Sequence, residues 1–407
     1  MIVYLLATLD TKGAEAAFVR DRLSAAGVPT RLVDVGCLGQ PSVVADITRE
    51  RVFTAAGVSL ADFAANSDRG RSISALCDGA AKLIAEHYAQ GQVSGVMALG
   101  GSAGTAIGTA AMRALPLGVP KLMVSTLASG QVRQYVADKD IIMVNTVVDL
   151  AGLNRISRSV LGNAAAAMAG MIQGRADEST NSDRPLVAAT MFGVTTPCVE
   201  RARQMLEGAG YEVLVFHATG NGGRAMEALV REGLFAGVLD ITTTELADEV
   251  VGGFLSAGGE RLTAAGACGV PQVVSVGATD MVNFYGPSTV PPKFKRRKFY
   301  PHNPSVTLMR TTAEECAEIG ADIGHKVATA QGPSVILLPS LGVSAIDREG
   351  QPFNDPLARK SLFTALRKAA GGVPIVELDA HINDEAFATA AADKLIELMR
   401  QKAQGKK

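Results

Sequence analysis

The stretch 94–109, SGVMALGGSAGTAIGT, constrains this chain more than any other. An apolar run (Val96, Met97, Ala98, Leu99) stops at Gly100 and Gly101. A turn of small residues through Ser102, Ala103, Gly104 and Thr105 leads into an Ala/Ile-rich segment of helical character. This pattern predicts a strand feeding a helix through a loop almost free of side chains. Such a loop lets a ligand approach the backbone, and the unpaired N–H groups and dipole of the helix start attract an anion. Ser102 and Thr105 add hydroxyls, so the expected use is a phosphate or carboxylate seat. The same glycines would also serve a tight turn that only allows close helix–sheet packing. No GxxxxGK[ST] occurs, so a nucleotide here would not be held by a Walker A loop.

The pattern around this stretch alternates strands with helices. Apolar runs at 2–9, 30–35, 121–126 and 141–146 read as strands. Helical spacing runs through 12–26, closed by Gly27, through 71–90 and through 153–173. Residues 36–71 carry weak structural signals. The polar stretch 174–184 reads as a linker, and beyond it the pattern restarts with strands at 186–192, 211–217, 236–241, 271–276, 305–309, 334–339 and 374–378. Helices are expected at 198–207, 223–232 and 385–402. The prediction is α/β: two Rossmann-like subdomains with mostly parallel sheets, spanning 1–180 and 184–407. A length of 407 residues agrees with two domains.

The restart has the form of a repeat. Ala7-Thr8 aligns with Ala189-Thr190, and Arg31-Leu32-Val33 with Val213-Leu214-Val215, at one constant offset. Ser94-Gly95-Val96 resembles Ala236-Gly237-Val238, and Val119-Pro120 resembles Val270-Pro271. Duplication would produce this, and so would convergent βα chemistry.

Composition excludes several classes. With 39 basic and 40 acidic residues the net charge is −1, so no global field recruits nucleic acid or membrane. Aromatic residues make up only 5%, too few for a base-stacking platform. Five scattered cysteines without a CxxC read as reduced thiols of a cytoplasmic protein, not as a zinc site or disulfide framework. The start MIVYLLATLD meets an acid at its tenth residue and reads as a first strand, not a signal peptide. No apolar run reaches the ~18 residues of a membrane span.

Ligands of open α/β sheets bind beyond the carboxyl ends of the strands, so two facing domains would place a site in the cleft between them. The first domain offers Thr8, Asp10 and Lys12, the glycine loop, and then Ser125, Thr126, Ser129 and Gly130. Lys12 is either a phosphate partner or a solvated first-turn residue; Asp10 is either an acceptor for a ligand hydroxyl or a helix cap. The second domain offers His217, an anion-compatible turn at 219–223, and Asp240 with the threonines Thr242, Thr243 and Thr244 before Glu245. Glu245 with Asp248 and Glu249 lacks a fixed metal-ligand spacing, and no metal is assigned. Residues 277–310 read as a long functional loop carrying Asp280, Asn283, a basic run that includes Arg297, then His302 and Asn303. The candidate catalytic residues are therefore His302 as general acid/base, Glu245 and Asp280. The candidate substrate contacts are Thr243, Thr244, Asn283, Arg297 and Asn303. His302, Asp280 and Arg297 are expected to cluster.

Long motifs in order, among them ATLDTKG (7–13), GGSAGT (100–105), MVSTLASG (123–130), HATGNGGRAME (217–227), DITTTELADE (240–249) and HNPSVTLMRTT (302–312), resemble the Tm-one-like ATP-binding family. These are largely uncharacterised proteins related to the ATP-binding N-terminal domain of a plant inhibitor of tomato mosaic virus replication. The resemblance implies two α/β subdomains, homodimer formation and ATP binding by the first subdomain; the expected cofactor is ATP, alone or with magnesium. Carried over residue by residue, the nucleotide role falls on Gly100, Gly101, Ser102, Gly104 and Thr105, and also on Thr8, Asp10, Lys12, Thr126, Ser129 and Gly130. Ala103 stands where many relatives carry glycine, a change that leaves the loop usable. The expected function is that of an ATP-binding protein, either an enzyme for a small carboxylate or phosphorylated sugar acid or a regulatory module without turnover.

Overall fold

The computed structural model describes residues 2–64, 68–130, 132–174 and 184–405, so the linker expected at 174–184 falls almost wholly outside the described residues. The chain divides into two compact units, Met1–Asn181 and Ser182–Lys407.

In the first unit β1 (Val3–Ala7), β2 (Thr30–Asp34), β3 (Gly95–Gly100), β4 (Lys121–Ser125) and β5 (Ile142–Asn145) form a parallel sheet in the order β2-β1-β3-β4-β5. Both faces of β1 are buried, which is why it reads as an unbroken apolar run. Val3, Leu5 and Ala7 pack under the helices Leu9–Ala25 and Arg155–Gln173. Tyr4 and Leu6, pointing the other way, pack under Arg49–Ala55, Arg69–Ala89 and Ser102–Arg113. The weakly patterned 36–71 region contains the helices Arg49–Ala55 and Ala61–Ala64.

The second unit carries a six-stranded parallel sheet, β14-β13-β9-β8-β6-β7, made from β6 (Leu186–Met191), β7 (Glu212–His217), β8 (Phe235–Thr242), β9 (Gln272–Gly277), β13 (Ser334–Pro339) and β14 (Ile375–Leu378). A separate antiparallel sheet, β10-β12-β11, is built from β10 (Met281–Phe284), β11 (Phe299–Asn303) and β12 (Val306–Arg310). This corrects the expectation of a long loop at 277–310. Met281 pairs with Arg310 and Phe284 with Thr307, while Pro301 pairs with Thr307 from the other side.

The pairs of similar segments fall on equivalent strands: β1 with β6, β2 with β7, β3 with β8, and β4 with β9. Each unit's first four strands share the order 2-1-3-4. The resemblance extends to packing detail. A Cβ on Gly95 of β3 would sit 2.5 Å from Met168 Cε, and one on Gly237 of β8 would sit 2.5 Å from Met399 Sδ. Each methionine belongs to the last helix of its unit, Arg155–Gln173 or Glu385–Gln404. In both units, then, a bare third strand receives a methionine from the closing helix.

The glycine loop follows the packing logic in part. A Cβ on Gly104 would lie 3.0 Å from Leu99 O, one on Gly100 2.9 Å from Gly104 Cα, and one on Gly108 2.5 Å from Ala98 Cβ. These three glycines let the helix Ser102–Arg113 lie directly on β3. Gly108→Val is predicted to destabilise the chain by roughly 1–3 kcal/mol through overpacking against β3. Urea unfolding measures this, and an unchanged midpoint would show that the helix has room to move away.

Candidate functional site

The order β2-β1-β3-β4-β5 reverses direction between β1 and β3, and the carboxyl ends of those two strands are where such sheets receive ligands. A cavity of about 220 Å³ lies there. Its wall includes Thr8, Asp10, Thr11 and Lys12 after β1, the segment Gly101, Ser102, Ala103 and Gly104 after β3, and Cys37, Arg69 and Asp149. The helix Ser102–Arg113 opens at Gly101 with no side-chain cap, and Thr105 N is bonded to Gly101 O at 2.8 Å. The amides of Ser102, Ala103 and Gly104 are the first-turn donors that lack an intrahelical acceptor.

Lys12 reaches this wall through a break in its own helix. Its backbone (φ −129°, ψ 22°) is non-helical inside Leu9–Ala25. Lys12 and Arg69 make no ion pair among the described residues, so two cations face the cavity beside the carboxylate of Asp149. Asp10 does not cap its helix, and one of its two oxygens is taken by the protein. Its Oδ2 accepts from Leu38 N (2.8 Å) and Gly39 N (3.2 Å), and this fixes the loop that roofs the cavity. Thr105 is fully buried, its hydroxyl 2.7 Å from Gly101 O and 2.6 Å from Ser125 Oγ. It supports the loop from beneath. Thr126 borders Gly101, which would place a Cβ 3.7 Å from Thr126 Oγ1. Ser129 and Gly130 are exposed and lie off the cavity wall.

Sequence reasoning missed the neighbours that shape the roof. Asp34, ending β2, accepts from Leu9 N at 3.1 Å and Gly36 N at 2.9 Å and pairs with Arg49 Nε at 2.6 Å. A second cavity, about 540 Å³, shares Cys37, Leu38 and Arg69 with the first and adds Arg49, Leu60, Phe63 and Ser72. Burial, helped by Asp10, pushes the Cys37 thiol up, and Arg69 and Arg49 only partly oppose this. Cys37 is therefore a neutral wall residue and a poor nucleophile. The only signal for Asp34 was its place as an acid at a strand end.

In the second unit the equivalent crevice, between the ends of β6 and β8, is filled by the protein itself. Arg261, fully buried, holds Asp240 with Nη1–Oδ2 at 2.5 Å and Nη2–Oδ1 at 2.7 Å. It also meets Glu245 Oε2 at 2.7 Å and Glu227 Oε1 at 3.3 Å. Glu245 Oε1 accepts from Gly220 N (2.6 Å) and Gly223 N (3.1 Å). The turn expected to hold a ligand anion thus holds Glu245, and a Cβ on Gly223 would lie 2.1 Å from Glu245 Oε2. Glu245 is corrected from catalytic candidate to structural anion. Three carboxylates around one guanidinium leave excess negative charge. Backbone donors take it up: Gly220 and Gly223 on Glu245, and Leu262 (2.7 Å) and Ala264 (2.7 Å) on Glu227.

The remaining candidates are also placed away from a common site. Thr243 Oγ1 donates to Ser275 O at 3.0 Å, and Thr244 Oγ1 accepts from Asn283 Nδ2 at 3.3 Å, all in the interior. Asn283 is bound to Asp248 through N–Oδ1 at 2.8 Å and Nδ2–Oδ2 at 2.6 Å. Desolvation raises the Asp248 carboxyl to about 7. Arg297 is spent on Glu315 (2.7 and 2.6 Å) and on Arg310 O (2.6 Å). Asn303 is exposed and accepts from Ser305 N at 2.8 Å in its turn. His302 is exposed on β11 near the Val306 end of β12, whereas Asp280 O bonds Thr311 N beyond the Arg310 end. The sheet register therefore separates them by about 13 Å along the strand at ~3.3 Å per residue. The expected cluster of His302, Asp280 and Arg297 does not form.

Asp280 is buried. Its Oδ2 accepts from Ser344 Oγ at 2.8 Å, while Oδ1 has no partner among the described residues. Nearby Asp347 pairs with Arg359 at 3.0 and 2.9 Å, and His381 Nε2 lies 2.9 Å from Ser344 O. Asn383 N donates to His381 Nδ1 at 3.1 Å, so the Nε2–H tautomer bonds Ser344. Burial first, and the charge of Asp347 second, push the Asp280 carboxyl up to about 7. A raised acid binds its proton more tightly in the folded chain. Its stabilising effect, present at low pH, is lost as pH rises from the unfolded value of 3.8 through about 7.

Among the described residues no group of three or more His, Cys, Asp or Glu side chains could hold a metal ion, and no helix is long and apolar enough to cross a membrane. Fold and site together define a two-unit Rossmann-like α/β protein with one crevice open and its counterpart self-filled. The chain belongs to the uncharacterised protein family UPF0261, whose N-terminal domain profile matches residues 1–177 and whose C-terminal domain profile matches 184–399. A UPF0261 protein of Clostridium tetani is 49% identical over 98% of this chain and 99% of its own length. The tomato (Solanum lycopersicum) ToMV resistance protein Tm-1(GCR237) is 46% identical over 75% of this chain, which spans 42% of that longer protein. UDP-N-acetylglucosamine 2-epimerase from Rickettsia bellii is 9% identical, with 67% of this chain and 78% of that chain aligned at a TM-score of 0.24, a level that carries no argument.

Two outcomes test these placements. Glu245→Ala leaves Arg261 Nε and the amides of Gly220 and Gly223 without their acceptor, and is predicted to cost about 3–5 kcal/mol in urea unfolding. An unchanged midpoint would return Glu245 to the list of free acids. For Asp280→Asn, the variant's stability relative to wild type is predicted to improve as pH rises from 5 to 8, since the substitution removes an ionisation the fold opposes. A difference that stays flat or moves the other way would contradict the raised acid.

Proposed function

We propose that the first unit binds ATP, with the polyphosphate on the amides of Ser102, Ala103 and Gly104. Lys12 and Arg69 supply the countercharge. The observation that carries this reading is the uncapped helix start facing a cavity that also contains the unpaired Lys12. The nucleoside end extends toward the larger adjoining cavity, where Leu60 and Phe63 offer apolar surface. The two cavities together are of the size that small-molecule sites usually have, about 300–1,000 Å³. Asp149 on the wall suits a magnesium-bound phosphate better than a bare one. A dinucleotide reading is less well supported, because Asp34, the acid ending β2 that would take a ribose hydroxyl, is committed to Arg49 and to backbone amides.

Between turnover and binding alone, we favour binding: His302, Glu245 and Asp280 do not converge, and two of them are buried. One observation favours a second ligand class. The phosphate end alone, at about 220 Å³, suits a small phosphorylated or carboxylic acid.

Isothermal titration with ATP, with inorganic phosphate and with 3-phosphoglycerate separates these readings. Saturable ATP binding is expected, weakened roughly tenfold or more by Lys12→Gln, the loss of one charge-assisted contact. Ala103→Glu, which puts a carboxylate at the helix start, is expected to abolish it without unfolding the chain. Tight binding of 3-phosphoglycerate with no response to ATP selects the second class. Failure of all three ligands, or indifference to Ala103→Glu, refutes the seat.

A further inference from the structure

The small antiparallel sheet of the second unit carries a feature that the nucleotide reading does not use. A groove of about 680 Å³ lies against it, walled by Pro287, Val290, Pro292, Phe299 and Pro301, with Ser288, Lys295 and Thr307 as its polar members. Pockets built in this way, apolar walls with a few polar groups, are what small-molecule sites look like.

Two of the polar members lack partners. Thr307 is 5% exposed, and its Oγ1 is buried with no hydrogen bond among the described residues. Burying a hydroxyl unpaired costs free energy, and proteins satisfy nearly all such groups. Thr307 sits mid-strand in β12 between Phe284 and Pro301, so its backbone position is fixed by the ladder on both sides. Its partner must therefore come from solvent or from a ligand in the groove. Lys295 forms no ion pair among the described residues and is exposed beside the same walls. Lys293, Arg296 and Lys298 are exposed on the same segment, so the mouth of the groove is basic.

We propose that this groove is a binding site for a small carboxylic acid with an apolar body. The hydrocarbon or aryl part lies on the proline and phenylalanine walls. The carboxylate pairs with Lys295 at the mouth, and Thr307 donates its hydroxyl to an oxygen of the ligand. The identity of the apolar part is left open by walls of this kind; the acid head is not, because the basic mouth around Lys295 favours an anion, to which the Thr307 hydroxyl can donate.

The test uses the full chain, with octanoate and phenylacetate as probes, octanol as the probe without charge, and octanoyl-coenzyme A as a larger amphiphile, all by titration calorimetry. Octanoate or phenylacetate is expected to bind saturably, and octanol at least fivefold more weakly. Lys295→Gln should weaken the acid about fivefold and leave octanol unchanged, as befits a single partly exposed ion pair. Thr307→Val should weaken the acid about fivefold, the scale of one neutral hydrogen bond. The same substitution should leave the free protein as stable as before or more so, because the hydroxyl it removes is unsatisfied. That second readout separates loss of a ligand contact from general damage.

Tighter binding of octanoyl-coenzyme A than of octanoate overturns the acid head, because its thioester offers no carboxylate to Lys295. Absence of binding by every acid, or binding unaffected by both variants, overturns the proposal. Sedimentation of wild type and Pro292→Glu covers the remaining occupant. Loss of a dimer in the variant, with no acid bound by wild type, would assign the groove to a second copy of this chain and likewise overturn it.

Discussion

Donors left over at the start of a helix must find acceptors, and in this chain the two halves meet that requirement in opposite ways. At the end of β3 the helix Ser102–Arg113 starts without a cap, and its first amides face a cavity with Lys12. Past β7 the turn amides of Gly220 and Gly223 grip the carboxylate of Glu245, whose other oxygen is held by Arg261. A backbone nest of this kind has a charge preference independent of the source of the anion. The turn past β7 takes its anion from the chain itself, whereas the amides of residues 102–104 have no such anion among the described residues.

This division follows from a shared architecture. Equivalent strands stand in equivalent order, and a closing-helix methionine packs on a glycine of the third strand in each unit. The crevice of the second unit holds a buried ion network. Such networks add little net stability when complete but are costly to break, and they fix one arrangement of the elements around them. Asp240 at the end of β8, Glu245 on the following helix and Glu227 on the helix Asn221–Arg231 are tied together by the one arginine.

The parallel sheets were legible because a strand buried on both faces must be apolar throughout, as in residues 3–7 and 95–100. Helix ends were legible from residues such as Gly27, whose φ of +75° suits glycine. The short antiparallel strands were not. β10 and β11 contain Asn283, Pro301, His302 and Asn303, residue types that signal loops, and their pairing depends on β12 rather than on their own pattern. The open crevice was legible from local spacing, since Thr8, Lys12 and the glycine loop lie at two strand ends. The closed one was not. Glu245 meets Gly220 and Arg261 across turns whose geometry no local pattern specifies. Asp10 illustrates the same limit: its cap-like position is plain in sequence, but its actual donors, the amides of Leu38 and Gly39, lie beyond the end of β2.

The account rests on which backbone amides meet an anion, and amide chemical shifts report that directly. In a transverse-relaxation-optimised nitrogen–proton spectrum of the labelled chain titrated with ATP, the resonances of Ser102, Ala103 and Gly104 should move saturably together, while those of Gly220 and Gly223 stay fixed. Movement at Gly220 and Gly223 with silence at residues 102–104 would contradict the division of roles between the two halves.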